Sequence, residues 1–86
     1  MKTEKKIIPK IKFAISYFIE EQLSILKMTN ELFLEKLFIS EKEYNQIIKS
    51  QEIISKLFAE KLSNIFSTST NYWINIDKNY KEWVKL

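Results

Sequence analysis

The side chains of this chain with chemistry to offer are carboxylates and polar groups at helical spacing. Glu20 and Glu21 are adjacent, and Glu41 and Glu43 stand two apart. Paired carboxylates serve acid–base catalysis or a divalent cation only when both aim at one point. On a helix, neighbours one or two apart diverge, and no third ligand accompanies either pair. The chain contains no histidine, which removes the usual general base and the commonest metal ligand. It contains no cysteine, which excludes disulfides and thiolate ligands. The expectation is a protein without catalytic residues, metal or cofactor.

Lys42, Asn45, Gln46 and Lys49 offer a different chemistry. Steps of three and four place them on one side of a helix. Asn and Gln amides can pair with the N6 and N7 edge of adenine, and lysines meet phosphates. All fourteen basic residues are lysine, so no guanidinium is available for a two-pronged contact to guanine. Any duplex read by this face is therefore expected to be AT-rich. Glu41 and Glu43 lie on the same helix and repel phosphate.

Five helices are expected to position these groups. Ile11, Ile15, Phe18, Ile19, Leu23 and Leu26 form an apolar stripe for a first helix over residues 11–26. Thr29 can cap a second helix ending at Leu37, with Leu32, Phe33 and Leu37 inward. Ser40 followed by Glu43 is a capping box that opens the third, whose inner face is Tyr44, Ile47 and Ile48. Ser55 can cap the fourth, ending at Phe66 and burying Phe58, Leu62, Ile65 and Phe66. A polar loop of residues 67–70 follows, and Ser69 can cap the fifth, which carries Trp73, Ile76, Tyr80 and Trp83. Those four residues are candidates for either core or an interface with a partner, because aromatic side chains anchor both. Strand-period patterns and internal repeats are not evident, so the fold class is all-α. Glycine is absent, so helices must end without the residue best suited to a left-handed turn.

Charge divides the chain unevenly. Residues 1–12 hold five lysines against Glu4, a balance of +4, and residues 13–86 hold nine lysines against ten acids, a balance of −1. Residues 1–10 are expected to be a flexible basic arm and residues 11–86 a single domain. The longest apolar run, residues 13–19, falls far short of the roughly 20 residues a membrane span needs. Lys10, Lys12 and Glu20 break up what would otherwise read as a secretion signal, so a cytoplasmic protein without membrane contact is expected. The preference for Ile, Asn, Phe, Tyr and Lys, whose codons are AT-rich, suggests an AT-rich bacterial or phage genome.

One stretch is distinctive. Thr68, Ser69, Tyr72, Trp73, Asn75, Asn79 and Tyr80, with Ile74 and Ile76 in place of leucines, resemble the C-terminal signature of HigA-type antitoxins, which are helix-turn-helix proteins of the lambda-repressor-like, XRE-like kind. Ser67 and Thr70 replace the Gly and Pro of that family's turn. Extended backwards without gaps, the resemblance covers roughly residues 17–83. It implies a compact five-helix helix-turn-helix domain, a homodimer, operator binding by the third helix, and partnership with an mRNA-cleaving toxin. Asn30 then falls on the first position of the helix-turn-helix, joining Lys42, Asn45, Gln46 and Lys49 as DNA-contacting candidates. Leu34 stands where such units have Ala, and Phe38 where the turn takes Gly, often in a left-handed conformation that costs a bulky residue about 1–2 kcal/mol.

Two functions fit this pattern. One is a transcriptional regulator and antitoxin that binds double-stranded DNA and a cognate toxin. The other is an interaction protein that uses the same fold to bind protein, such as a small phage inhibitor of host defence of the anti-CRISPR kind. Fold alone does not choose between them.

Overall fold

The computed structural model describes residues 13–85. The basic arm and Ile11 lie outside that range, but the first helix starts at Ile15 and not at Ile11 as expected, because Ala14 before it is extended. The described residues form five helices: α1 (Ile15–Leu26), α2 (Asn30–Leu37), α3 (Glu41–Lys49), α4 (Lys56–Phe66) and α5 (Thr70–Val84). No strand occurs among the described residues.

Local chemistry sets the helix ends. Thr29, Ser55 and Ser69 each accept a hydrogen bond from the backbone N–H three residues on, which satisfies a donor the first turn leaves free. Ser40 and Glu43 form the expected reciprocal box, with both bonds near 3 Å. Without glycine, α1, α2 and α4 end on Lys27, Phe38 and Ser67, at φ of 55°, 60° and 56°. After each, the next residue's N–H reaches back five residues, as in Met28 to the Leu23 carbonyl at 2.9 Å. Those bonds satisfy the last carbonyls of each helix and hold three bulky or polar residues in a region glycine favours.

The core is one cluster. Ile15, Ile19 and Leu23 of α1 meet Phe33 and Leu37 of α2, the α4 stripe from Phe58 to Phe66, and Trp73 of α5. A chain of ring contacts crosses it. Tyr44 of α3 packs edge-on against Phe33, Phe33 stacks on Phe66, and Phe66 tilts against Trp73, with centroids 5.5–5.8 Å apart. Each such pair contributes about 0.5–1.5 kcal/mol beyond its buried area. Two residues expected inside are not. Leu26 is 48% and Leu32 41% exposed. Ser24 to Lys27 are all exposed, so the last turn of α1 projects past the core. Asn30 to Leu32, the first turn of α2, does the same.

Candidate nucleic-acid interface

α3 is the least embedded helix. It buries no residue completely, and Tyr44, Ile47 and Ile48 are only half-buried. Those three side chains pack against the core from its edge, and the Tyr44 ring meets Phe33 edge-on. Burial, together with the negative charge of Glu20, pushes the Tyr44 phenol up to about 12.

Among the described residues nothing covers the opposite side of α3. Lys42, Asn45, Gln46 and Lys49 are all exposed and, with Glu41, line one shallow outer face. The structure also brings Asn30 to this region: it is exposed at the first position of α2 and shares a small cleft with Asn45, Tyr44, Glu41 and Glu20. The five residues singled out for DNA contact therefore occupy neighbouring positions around α3. Two amide side chains stand among two lysines, and Glu41 sits beside them. The described residues carry nine lysines against ten acids, so this face has no strong positive field of its own.

The α5 residues proposed as an interface separate. Trp73 is 0% exposed, and its indole N–H donates to the Thr68 hydroxyl, so it is core and presents nothing to a partner. This corrects the expectation that it shares a surface with the other three. Ile76, Tyr80 and Trp83 are half-buried, and the Tyr80 and Trp83 rings lie 6.1 Å apart, leaving part of each side chain at the surface. The Trp73–Thr68 bond gives a physical reason for a hydroxyl five residues before the tryptophan: a buried indole N–H needs an acceptor.

Sequence reasoning missed a buried pair on α5. The Asp77 carboxylate accepts the Ile54 N–H at 2.7 Å and lies 2.9 Å from the Lys81 ammonium. Lys81 in turn donates to the Glu52 carbonyl at 2.6 Å. Both bonds to the backbone fall on the segment joining α3 to α4, so α5 holds the chain immediately after the candidate recognition helix. The second Asp77 oxygen, Oδ1, is buried and has no hydrogen-bond partner among the described residues. A signal was present: Trp73, Asp77 and Lys81 recur every four residues, and a stripe followed from the buried tryptophan passes through both charges. The competing stripe through Ile76, Tyr80 and Trp83 concealed it.

On the other side of the core, Lys61 of α4 donates to the Leu37 carbonyl at 2.9 Å. A cation there caps the end of α2, where the helix dipole is negative, and fixes α4 beside the α2–α3 turn.

Among the described residues no group of three or more Asp or Glu comes together, and no helix is long and apolar enough to cross a membrane. Compared with known proteins, the chain matches no family model, no curated protein and no solved structure.

Proposed function

We propose that this chain is a DNA-binding regulator of the HigA antitoxin type, with α3 as its recognition helix. The observation that carries the reading is the outer face of α3, where Lys42, Asn45, Gln46 and Lys49 are exposed together on a helix that contributes little to the core. Asn45 and Gln46 read adenine edges in the major groove, Lys42 and Lys49 meet phosphates, and Asn30 stands at the N-terminus of α2. The protein acts as a cytoplasmic homodimer on two AT-rich half-sites about 34 Å apart, one helical turn. Tyr80 and Trp83, with Ile76, supply the contact between copies or with a cognate ribonuclease toxin. Binding of AT-rich against GC-rich duplex, with and without Gln46→Ala, tests the reading.

A second reading is favoured by one residue. Phe38 is 85% exposed and left-handed, so it gains little from burial while its backbone is strained. An exposed aromatic kept at a strained turn fits a protein-facing contact, with the chain acting as an interaction protein or inhibitor. Loss of partner capture on Phe38→Gly, with DNA binding absent from the unaltered protein, favours it.

A further inference from the structure

We propose that the groove between the start of α1, the end of α3 and the end of α5 is a binding site for a small organic anion with an apolar body. Ala14, Ile48, Tyr80 and Val84 supply its apolar wall, and Lys49 and Lys85 stand exposed at its edge. It has a volume of about 650 Å³, within the roughly 300–1,000 Å³ of small-molecule sites.

Charge selects the occupant. Among the described residues, every ionisable side chain that lines the groove, apart from the Tyr80 phenol, is a lysine. Acids outnumber lysines ten to nine over the described chain, so this lining does not follow from composition. Glu52 and Glu82 are neighbours in sequence, yet neither lines it. The hollow on the other side of α3 is the reverse, with Glu43 and Glu52 and no lysine. Lys81 also lines the groove, but its charge is already met by Asp77. Among the described residues the lining cations without an acidic partner are Lys49 and Lys85, enough for one carboxylate, sulfonate or phosphate at the edge while a ring or alkyl body covers the wall. Residues 1–12 carry a balance of +4, which a lysine-lined groove repels. A duplex offers no apolar part to fill the recess. Lys49 also belongs to the outer face of α3 and Tyr80 to the proposed contact between copies, so a bound anion competes with a phosphate for the one and with a second copy for the other. That consequence, unlike the site itself, rests on the DNA-binding reading.

The test uses the full chain and the fluorescent anion anilinonaphthalene sulfonate, in the absence of DNA. Saturable binding is expected, with amide shifts confined to residues 14–16, 48–51 and 80–85. Lys49→Ala with Lys85→Ala should weaken it about fivefold, the sum of two exposed ion pairs. Both lysines are exposed, so circular dichroism should be unchanged. Lys85→Ala alone should weaken it in part without altering the outer face of α3. Uncharged phenylnaphthylamine should bind the double variant and the unaltered protein alike. The proposal is overturned by non-saturable binding, by an affinity indifferent to both lysines, or by shifts spread through the core.

Discussion

Lys81 and Asp77 form an ion pair 2.9 Å long inside the protein, with side chains 5% and 1% exposed. Each also holds a backbone group of residues 52–54, so the pair fastens the segment after α3 onto α5. Removing one partner leaves the other charge buried and uncompensated. Lys81→Ala is expected to cost about 3–5 kcal/mol, and Asp77→Ala a similar amount. Because each loss includes the penalty of stranding the partner, the double variant should lose less than the sum of the two. Urea denaturation in a double-mutant cycle measures this, and simple additivity would show that the two charges act independently.

Phe38 offers the opposite case, a residue whose replacement should help. Its φ of 60° costs a non-glycine residue about 1–2 kcal/mol, and at 85% exposed it buries little in return. Glycine removes that strain but carries about 0.5–1 kcal/mol more chain entropy into the unfolded state. Phe38→Gly should therefore raise stability by up to about 1.5 kcal/mol in urea melts. A loss of stability would mean that the ring makes a contact the fold depends on.

Tyr44 gives a dependence on pH. Its folded phenol keeps its proton up to about 12, while an unfolded tyrosine loses it near 10.0. Between those values the unfolded state binds fewer protons, so stability falls as pH rises. The contribution is fully present below about pH 10 and is lost on the way to about 12. Tyr44→Phe should leave neutral stability nearly unchanged and make this alkaline decline shallower. In phenolate absorbance, the late step due to Tyr44 should be present in the unaltered protein and missing from the variant.

Much of the architecture is local, which is why it was legible. The caps at Thr29, Ser40, Ser55 and Ser69 are three-residue relationships, and each expected cap forms. Phe38, named for standing where the resemblance puts a turn glycine, is left-handed. The Asp77–Lys81 pair was not legible, because its backbone partners lie 23 and 29 residues away in sequence and only packing brings them near. Exposure of Leu26 and Leu32 was hidden for a related reason: periodicity marks a face of a helix but not where its neighbours stop covering it. At the site, spacing alone put Lys42, Asn45, Gln46 and Lys49 on one side of α3. Spacing could not tell that Trp73 is enclosed while Tyr80 and Trp83 reach the surface.

The arm bears on affinity. The described body has no excess of positive charge, so the lysines of residues 1–12 should supply much of the general attraction to duplex DNA. Deleting residues 1–10 removes four of them. The slope of log affinity against log salt should fall by up to about 3–4, at roughly 0.9 per phosphate contact. The fold should persist, because the described core begins at Ile15. An unchanged slope would make the arm a bystander.

The most direct test of the central claim is an anisotropy titration of the full chain against AT-rich and GC-rich duplexes of equal length, at low and moderate salt. Recognition through α3 predicts tighter binding to the AT-rich duplex at both salts, and a preference that relaxes in Gln46→Ala. Lys42→Ala should weaken both duplexes alike. No binding at moderate salt, or equal losses in both variants on both duplexes, would contradict a DNA-reading α3.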